Sequence, residues 1–131
     1  MEWNFKDGIP IYTQIIDEMT MRIASSAYAP GDKLPSVRDL ALDAGVNPNT
    51  MQRALNELER EGLLVSERTA GRFVTEDKTL ISRLRSEMAV DTVDAFRKEM
   101  AALGFSDEEM IEFFRKRCEV TGGTFTLERI G

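Results

Sequence analysis

Tyr12, Ile15, Ile16, Met19 and Ile23 recur at helical spacing, with Gln14, Asp17, Glu18 and Arg22 outside. This pattern predicts an amphipathic helix with Pro10 at its first position, where a missing N–H costs nothing. The turn-forming run Tyr28-Ala29-Pro30-Gly31-Asp32 closes it. Ser36 with Asp39 three positions on reads as a capping box, so a short second helix is expected over about 36–44. Gly45 then permits a sharp turn, Asn47 caps a third helix, Pro48 occupies its first position and Gly62 stops it. The third helix is two-faced: Met51, Ala54, Leu55 and Leu58 lie on one side, and Asn49, Gln52, Arg53 and Asn56 on the other.

Beyond Gly62 the pattern changes to strand-like runs, Leu63-Leu64-Val65-Ser66 and Arg72-Phe73-Val74-Thr75, joined by the polar tip Glu67-Arg68-Thr69-Ala70-Gly71. Two short helices across a tight turn followed by such a hairpin make a winged helix-turn-helix. From about Lys78 a second unit begins, in which Leu80, Ile81, Leu84, Met88, Val93, Phe96, Met100 and Leu103 form a long apolar stripe. A helix of about 26 residues, about 39 Å long, carries it. Leu103-Gly104-Phe105 reads as a glycine C-cap, and Ser106 with Glu109 as a second capping box, stapled by Phe105 and Met110. A fifth helix is expected over about 107–119, with Met110, Ile111, Phe113 and Phe114, and the tail from Thr121 is expected to be mobile or a short strand.

The expected architecture is therefore α+β and mainly helical: a winged helix-turn-helix over 1–75 and a two-helix dimerisation region over 76–131. Nothing in a small winged-helix core is expected to cover the stripe, so a second copy of the chain should. Leu80, Leu84, Met88, Phe96, Met100, Phe113 and Phe114 are the expected dimer contacts.

Composition removes most other functions. Among the 131 residues there is no histidine and a single cysteine, Cys118, which excludes histidine-based catalysis, an internal disulfide and a thiolate metal cage. No nucleotide-binding loop or nucleophile elbow is present, so no enzymatic activity and no cofactor are expected. The acidic start MEWNFKDGI has no apolar core, and no stretch approaches the roughly 18 apolar residues of a membrane span, so a cytoplasmic protein without membrane contact is expected. Cys118 beside Arg115, Lys116 and Arg117 reads as a lone helical thiol. Asp107-Glu108-Glu109 read as partners of a helix dipole rather than as metal ligands.

The polar face of the third helix suits base edges in a DNA major groove. The net charge of −6 argues the other way, because phosphate contacts need basic groups. Residues 1–75 hold 8 basic and 11 acidic side chains, and residues 76–131 hold 9 and 12, so neither region is basic as a whole. Any positive face must come from the placement of Lys33, Arg38, Arg53, Arg68 and Arg72. A face interrupted by Glu57, Glu61 and Glu67 would instead favour a winged-helix module that binds protein and not DNA. The phenylalanines Phe96, Phe105, Phe113 and Phe114 could line a pocket for a small-molecule effector, but aromatics at helical spacing belong to a core or an interface, and the effector has no support.

The segments IPIYTQI, LPSVRDLA, GVNPNT and LNELEREGLL, in this order and spacing, resemble the GntR family of bacterial transcription regulators over about residues 8–75. The short helical remainder is similar to the YtrA subfamily. The resemblance implies a homodimeric repressor acting on a double-stranded DNA operator with inverted-repeat half-sites, often of a transporter operon. It also implies phosphate contacts from Ser36 and Thr50, an approach of Arg38 to bases or backbone, and a recognition surface of Asn49, Gln52 and Arg53. Gly71 and Arg72 would bring the wing to the minor groove, with Arg68 at its tip. Many relatives carry a basic residue near the start of the third helix, where this chain has Pro48 and Asn49, so their operator sequence does not transfer.

Overall fold

The computed structural model describes residues 2–121; the remainder of the tail, residues 122–131, for which a mobile segment or strand was expected, lies outside the described residues. The elements are α1 (Ile11–Ala24), α2 (Val37–Ala44), α3 (Pro48–Arg60), β1 (Leu64–Glu67), β2 (Gly71–Val74), α4 (Lys78–Ala102) and α5 (Asp107–Val120). By packing, the chain divides into two compact units, Met1–Ser86 and Glu87–Gly131.

In the first unit, Ile15, Met19 and Ile23 of α1 meet Leu40 and Ala41 of α2 and Met51, Ala54, Leu55 and Leu58 of α3 in one buried cluster. Leu34, Leu63, Leu64 and Val74 close it from the wing side. The wing is an antiparallel hairpin in which Leu64 pairs with Val74 and Glu67 with Gly71. A bridge between Lys33 and Phe73 adds the segment before α2 to its free edge. There Leu34 N–H donates to the Arg72 carbonyl (2.9 Å) and Val74 N–H to that of Asp32 (2.8 Å), which ties the wing to the entry of α2.

Caps explain the helix boundaries. Ser36 Oγ accepts from the Asp39 backbone N–H at 3.1 Å, which is half of the expected box, since the reciprocal bond from the Ser36 N–H to the Asp39 carboxylate is not made. Gly45, at φ +70°, makes the left-handed turn out of α2, a conformation that costs glycine little. Asn47 Oδ1 accepts from Asn49 N–H at 2.8 Å, and Pro48 takes the first position of α3. At α1 the expectation shifts by one residue: Pro10 is itself the extended N-cap, and the helix begins at Ile11. It also ends before the Tyr28 turn, at Ala24, because Ser26 takes a positive φ of 63°.

Two expectations are corrected. Arg22, placed outside by its spacing, is 4% exposed. Its guanidinium lies 4.0 Å from the Trp3 ring, and it donates to the Glu2 carbonyl (2.8 Å) and to Glu18 (3.1 Å). The N-terminal strap that buries it is anchored again by the Trp3 indole N–H donating to Asp43 of α2 (2.9 Å). Gln14 of α1 accepts from Lys6 N–H and donates to the Lys6 and Ile9 carbonyls.

The second correction concerns the stripe on α4. Ile81 belongs to the core of the first unit, and Leu80 and Leu84 pack against it, so the chain itself covers the start of the stripe. For the same reason this unit extends past Thr75 to Ser86.

The second unit holds the remainder of α4 and α5. Met100 is its one buried residue among those described. Phe96 meets Phe114 edge to face at 6.2 Å, and Phe105 meets Phe113 at 5.4 Å. Ser106 and Glu109 form both halves of the capping box. The bond from the Ser106 backbone holds the Glu109 carboxyl below its ordinary range. Arg97 donates twice to Asp107, at 2.7 and 3.0 Å, and likewise lowers that carboxyl. Both groups are exposed, so water screening leaves such pairs little stabilising weight.

Leu58 is fully buried at the meeting point of α3 and the wing, whereas Val65 of β1 is 47% exposed. Leu58→Ala is expected to cost about 2–5 kcal/mol through lost burial and a residual cavity, and Val65→Ala less than about 0.5 kcal/mol. Chemical denaturation of both variants checks this contrast.

Candidate nucleic-acid interface

The face of α3 opposite the core carries Asn49, Gln52, Arg53 and Asn56, and Gln52 stands on a ridge between two grooves. The first groove runs between α3 and the wing and is lined by Lys33, Ser36, Gln52, Arg68, Gly71 and Arg72, with Glu67 among them. The second lies between α3 and α1, where Tyr12, Asn49, Gln52, Arg53 and Asn56 meet Glu57, Arg60 and Glu61. The structure thus brings together the wing residues with Ser36 and Gln52, and separately Asn49, Gln52 and Arg53. Arg38, exposed on α2, and Thr50, half-buried near the start of α3, line neither groove.

Charge on this face is locally sorted. Lys33, Arg38 and Arg68 are exposed and form no ion pair among the described residues. Glu57 is engaged by Arg60 at 2.6 Å, and Glu59 faces Arg72 at 3.9 Å. Glu61 and Glu67 remain exposed, and with Glu57 they lie in the groove walls, so acidic groups interrupt the basic face.

Two arrangements were not visible in the spacing. Arg53 lies 3.7 Å from the centroid of the Tyr12 ring, so α1 holds its guanidinium in place through a cation–π contact. Tyr12 counted toward the apolar face of α1, and only the edge position of that ring beside α3 gives it this second role. Arg72, expected to reach outward from the wing, folds back on α3. Its Nη2 donates to Asn56 Oδ1 at 3.2 Å, and Asn56 Oδ1 also accepts from Gln52 Nε2 at 2.7 Å. Ser66 of β1 donates to Glu59, so hairpin and helix are stitched side chain to side chain. Gly71, at φ +109°, sits under Lys33, whose Cε would lie 3.2 Å from any added Cβ.

Comparison with known proteins agrees with this geometry. Residues 11–74 match the gntR family of bacterial regulatory proteins. The chain is 39% identical over 112 residues to an uncharacterized HTH-type transcriptional regulator, YhcF, of Bacillus subtilis, a match covering 86% of this chain and 93% of the relative. It belongs to the GntR family. The HTH-type transcriptional repressor YtrA of B. subtilis is 34% identical over 120 residues, covering 90% of this chain and 92% of that protein. A GntR family transcriptional regulator from Listeria monocytogenes superposes with a TM-score of 0.77 at 40% identity, covering 86% of this chain and 98% of the other.

Membership makes the chain a GntR-family transcription regulator with a DNA-binding helix-turn-helix, and not an enzyme. The reading as a protein-binding module without DNA contact is thereby set aside. Among the described residues no group of side chains could hold a metal ion, and no helix is long and apolar enough to cross a membrane.

The Tyr12 contact generates a test. Tyr12→Leu removes the ring beneath Arg53 and is expected to weaken binding to a selected duplex by about 0.5–1 kcal/mol, the usual size of an exposed cation–π contact. Tyr12→Phe keeps the ring and should bind like the parent chain. Fluorescence anisotropy with a labelled duplex measures both.

Proposed function

We propose that this GntR regulator is a cytoplasmic homodimeric repressor that places α3 in the major groove of each half-site of an inverted-repeat operator. The observation that carries the reading is the two-sidedness of α3: Met51, Ala54, Leu55 and Leu58 are buried, which turns Asn49, Gln52, Arg53 and Asn56 outward together. Exposed Lys33, Arg38 and Arg68, with Ser36 and Thr50 at the helix starts, supply the phosphate contacts that hold register. The repressor assignment is supported by the name of the similar YtrA protein.

The same face yields a direct expectation. Arg38→Ala and Gln52→Ala should each weaken specific binding by about 1–3 kcal/mol, the worth of a base contact, with unfolding unchanged because neither side chain is in the core. Gel-shift titration at fixed salt is the check, and affinities equal to the parent's would remove these residues from the interface.

Dimerisation is supported by the second unit. Val90, Val93, Ile111 and Phe113 are each about half exposed there, and α5 has no buried residue among those described. A hairpin with so little core of its own is completed by a second copy, and two linked heads then gain affinity by effective concentration. Within the expected interface set, Met88, Phe96, Phe113 and Phe114 remain in this role, while Met100 is already buried within the second unit. Leu80 and Leu84 already serve the first unit's core. The double variant Val93→Asp, Ile111→Asp is expected to be monomeric by light scattering at micromolar concentration, where the parent is a dimer. A dimeric variant would place the interface elsewhere.

A further inference from the structure

The hydrogen bonds between wing and recognition helix carry a consequence for which bases the helix accepts. An arginine side chain has donors only. The Asn56 atom facing Arg72 Nη2 must therefore be the carbonyl oxygen, Oδ1. That same oxygen lies 2.7 Å from Gln52, so the Gln52 atom facing it must be the donor Nε2. One arginine thus settles the orientation of two amides in succession. Reversing Gln52 would set its oxygen against an acceptor, and reversing Asn56 would set two donors against each other.

Arg72 is itself well placed to hold this polarity. Its side chain is 16% exposed and lies beside Glu59, which is braced by Ser66. Its Nε is buried with no hydrogen-bond partner among the described residues, so the guanidinium is committed to this wall at some cost. What remains outward is defined by subtraction. Gln52 keeps Oε1 and one Nε2 proton, an acceptor beside a donor. Asn56 keeps both Nδ2 protons and no uncommitted acceptor along the Arg72 side.

We propose that Arg72 is a positioning residue that sets the donor and acceptor pattern of the recognition face. Gln52 is thereby set to read adenine, whose N6 amino group donates and N7 accepts, and Asn56 to read an acceptor edge on a neighbouring base, guanine O6 and N7 or thymine O4. The inference rests on the placement of α3 in the major groove.

The test is selection of the full-length chain and its variants on a randomised duplex pool, followed by sequencing, with circular dichroism melting to confirm that each variant is folded. Gln52→Ala identifies the column that Gln52 reads. That column should be adenine in the parent, preferred about tenfold over guanine. Arg72→Met keeps the packed stem but not the donors, and it should relax this column toward parity while the columns that depend on Asn49 persist. Asn56→Asp keeps an acceptor for both Gln52 and Arg72. It should retain the adenine column while its own column changes to cytosine, whose N4 amino group donates. Should Arg72→Met not fold, Arg72→Gln, whose amide can face Asn56 with either its oxygen or its nitrogen, is expected to relax the adenine column in the same way.

Uniform weakening by Arg72→Met with every column unchanged would make Arg72 a phosphate contact and overturn the proposal. So would a parent column at Gln52 other than adenine, or an unaltered Asn56 column in Asn56→Asp. A parent chain that enriches no sequence at all would instead remove the underlying assignment of α3 as a reader of bases.

Discussion

The structure of the first unit depends on how α3 is held. A helix of 13 residues is short for independent stability in water, and tertiary packing of one face must fix it. Met51, Ala54, Leu55 and Leu58 meet α1, α2 and the wing in one cluster, and each is essentially inaccessible to solvent. Because these four positions are spent inward, the rotation of the helix is fixed, and the amides and the arginine on the far side emerge in one direction. Reading DNA requires side chains held in register with base edges, and under the proposed reading the apolar face is what holds them there.

A second layer of contacts operates at the edges of that face. Tyr12 supports Arg53 from α1, and Arg72 reaches Asn56 from the wing. Each secures a side chain that hydrophobic packing alone would leave free to rotate, and under the proposed reading this lowers the ordering cost of binding DNA. The strap through Trp3 has a comparable role at a distance: it packs on Arg22 of α1 and bonds Asp43 of α2, tying together the two helices on which α3 rests.

Much of this was legible in the residues. Periodicity together with capping chemistry located α2 and α3 closely, since Ser36, Gly45, Asn47 and Pro48 each act through local backbone geometry. The hairpin followed from two strand-like runs around a polar tip and was displaced by one residue at both strands. What escaped notice depends on partners distant in sequence. Arg22 has the spacing of an outward residue, and only the strap, 20 positions away, makes its burial tolerable. Leu80 and Leu84 belong to an uninterrupted stripe, and no local pattern shows where a core stops drawing on it. Arg72 shares a strand face with the buried Val74, but its guanidinium partner on that face, Asn56, lies 16 positions earlier on the helix.

Nitrogen-15 NMR of the chain bound to its selected duplex tests the central claim most directly, since the side-chain amide signals of Asn49, Gln52 and Asn56 come from the outward face of α3 itself. The account predicts that these signals shift on binding and show intermolecular NOEs to major-groove protons, the purine H8 and the thymine methyl. Saturated binding that leaves all three unmoved, or NOEs confined to minor-groove protons, would contradict it.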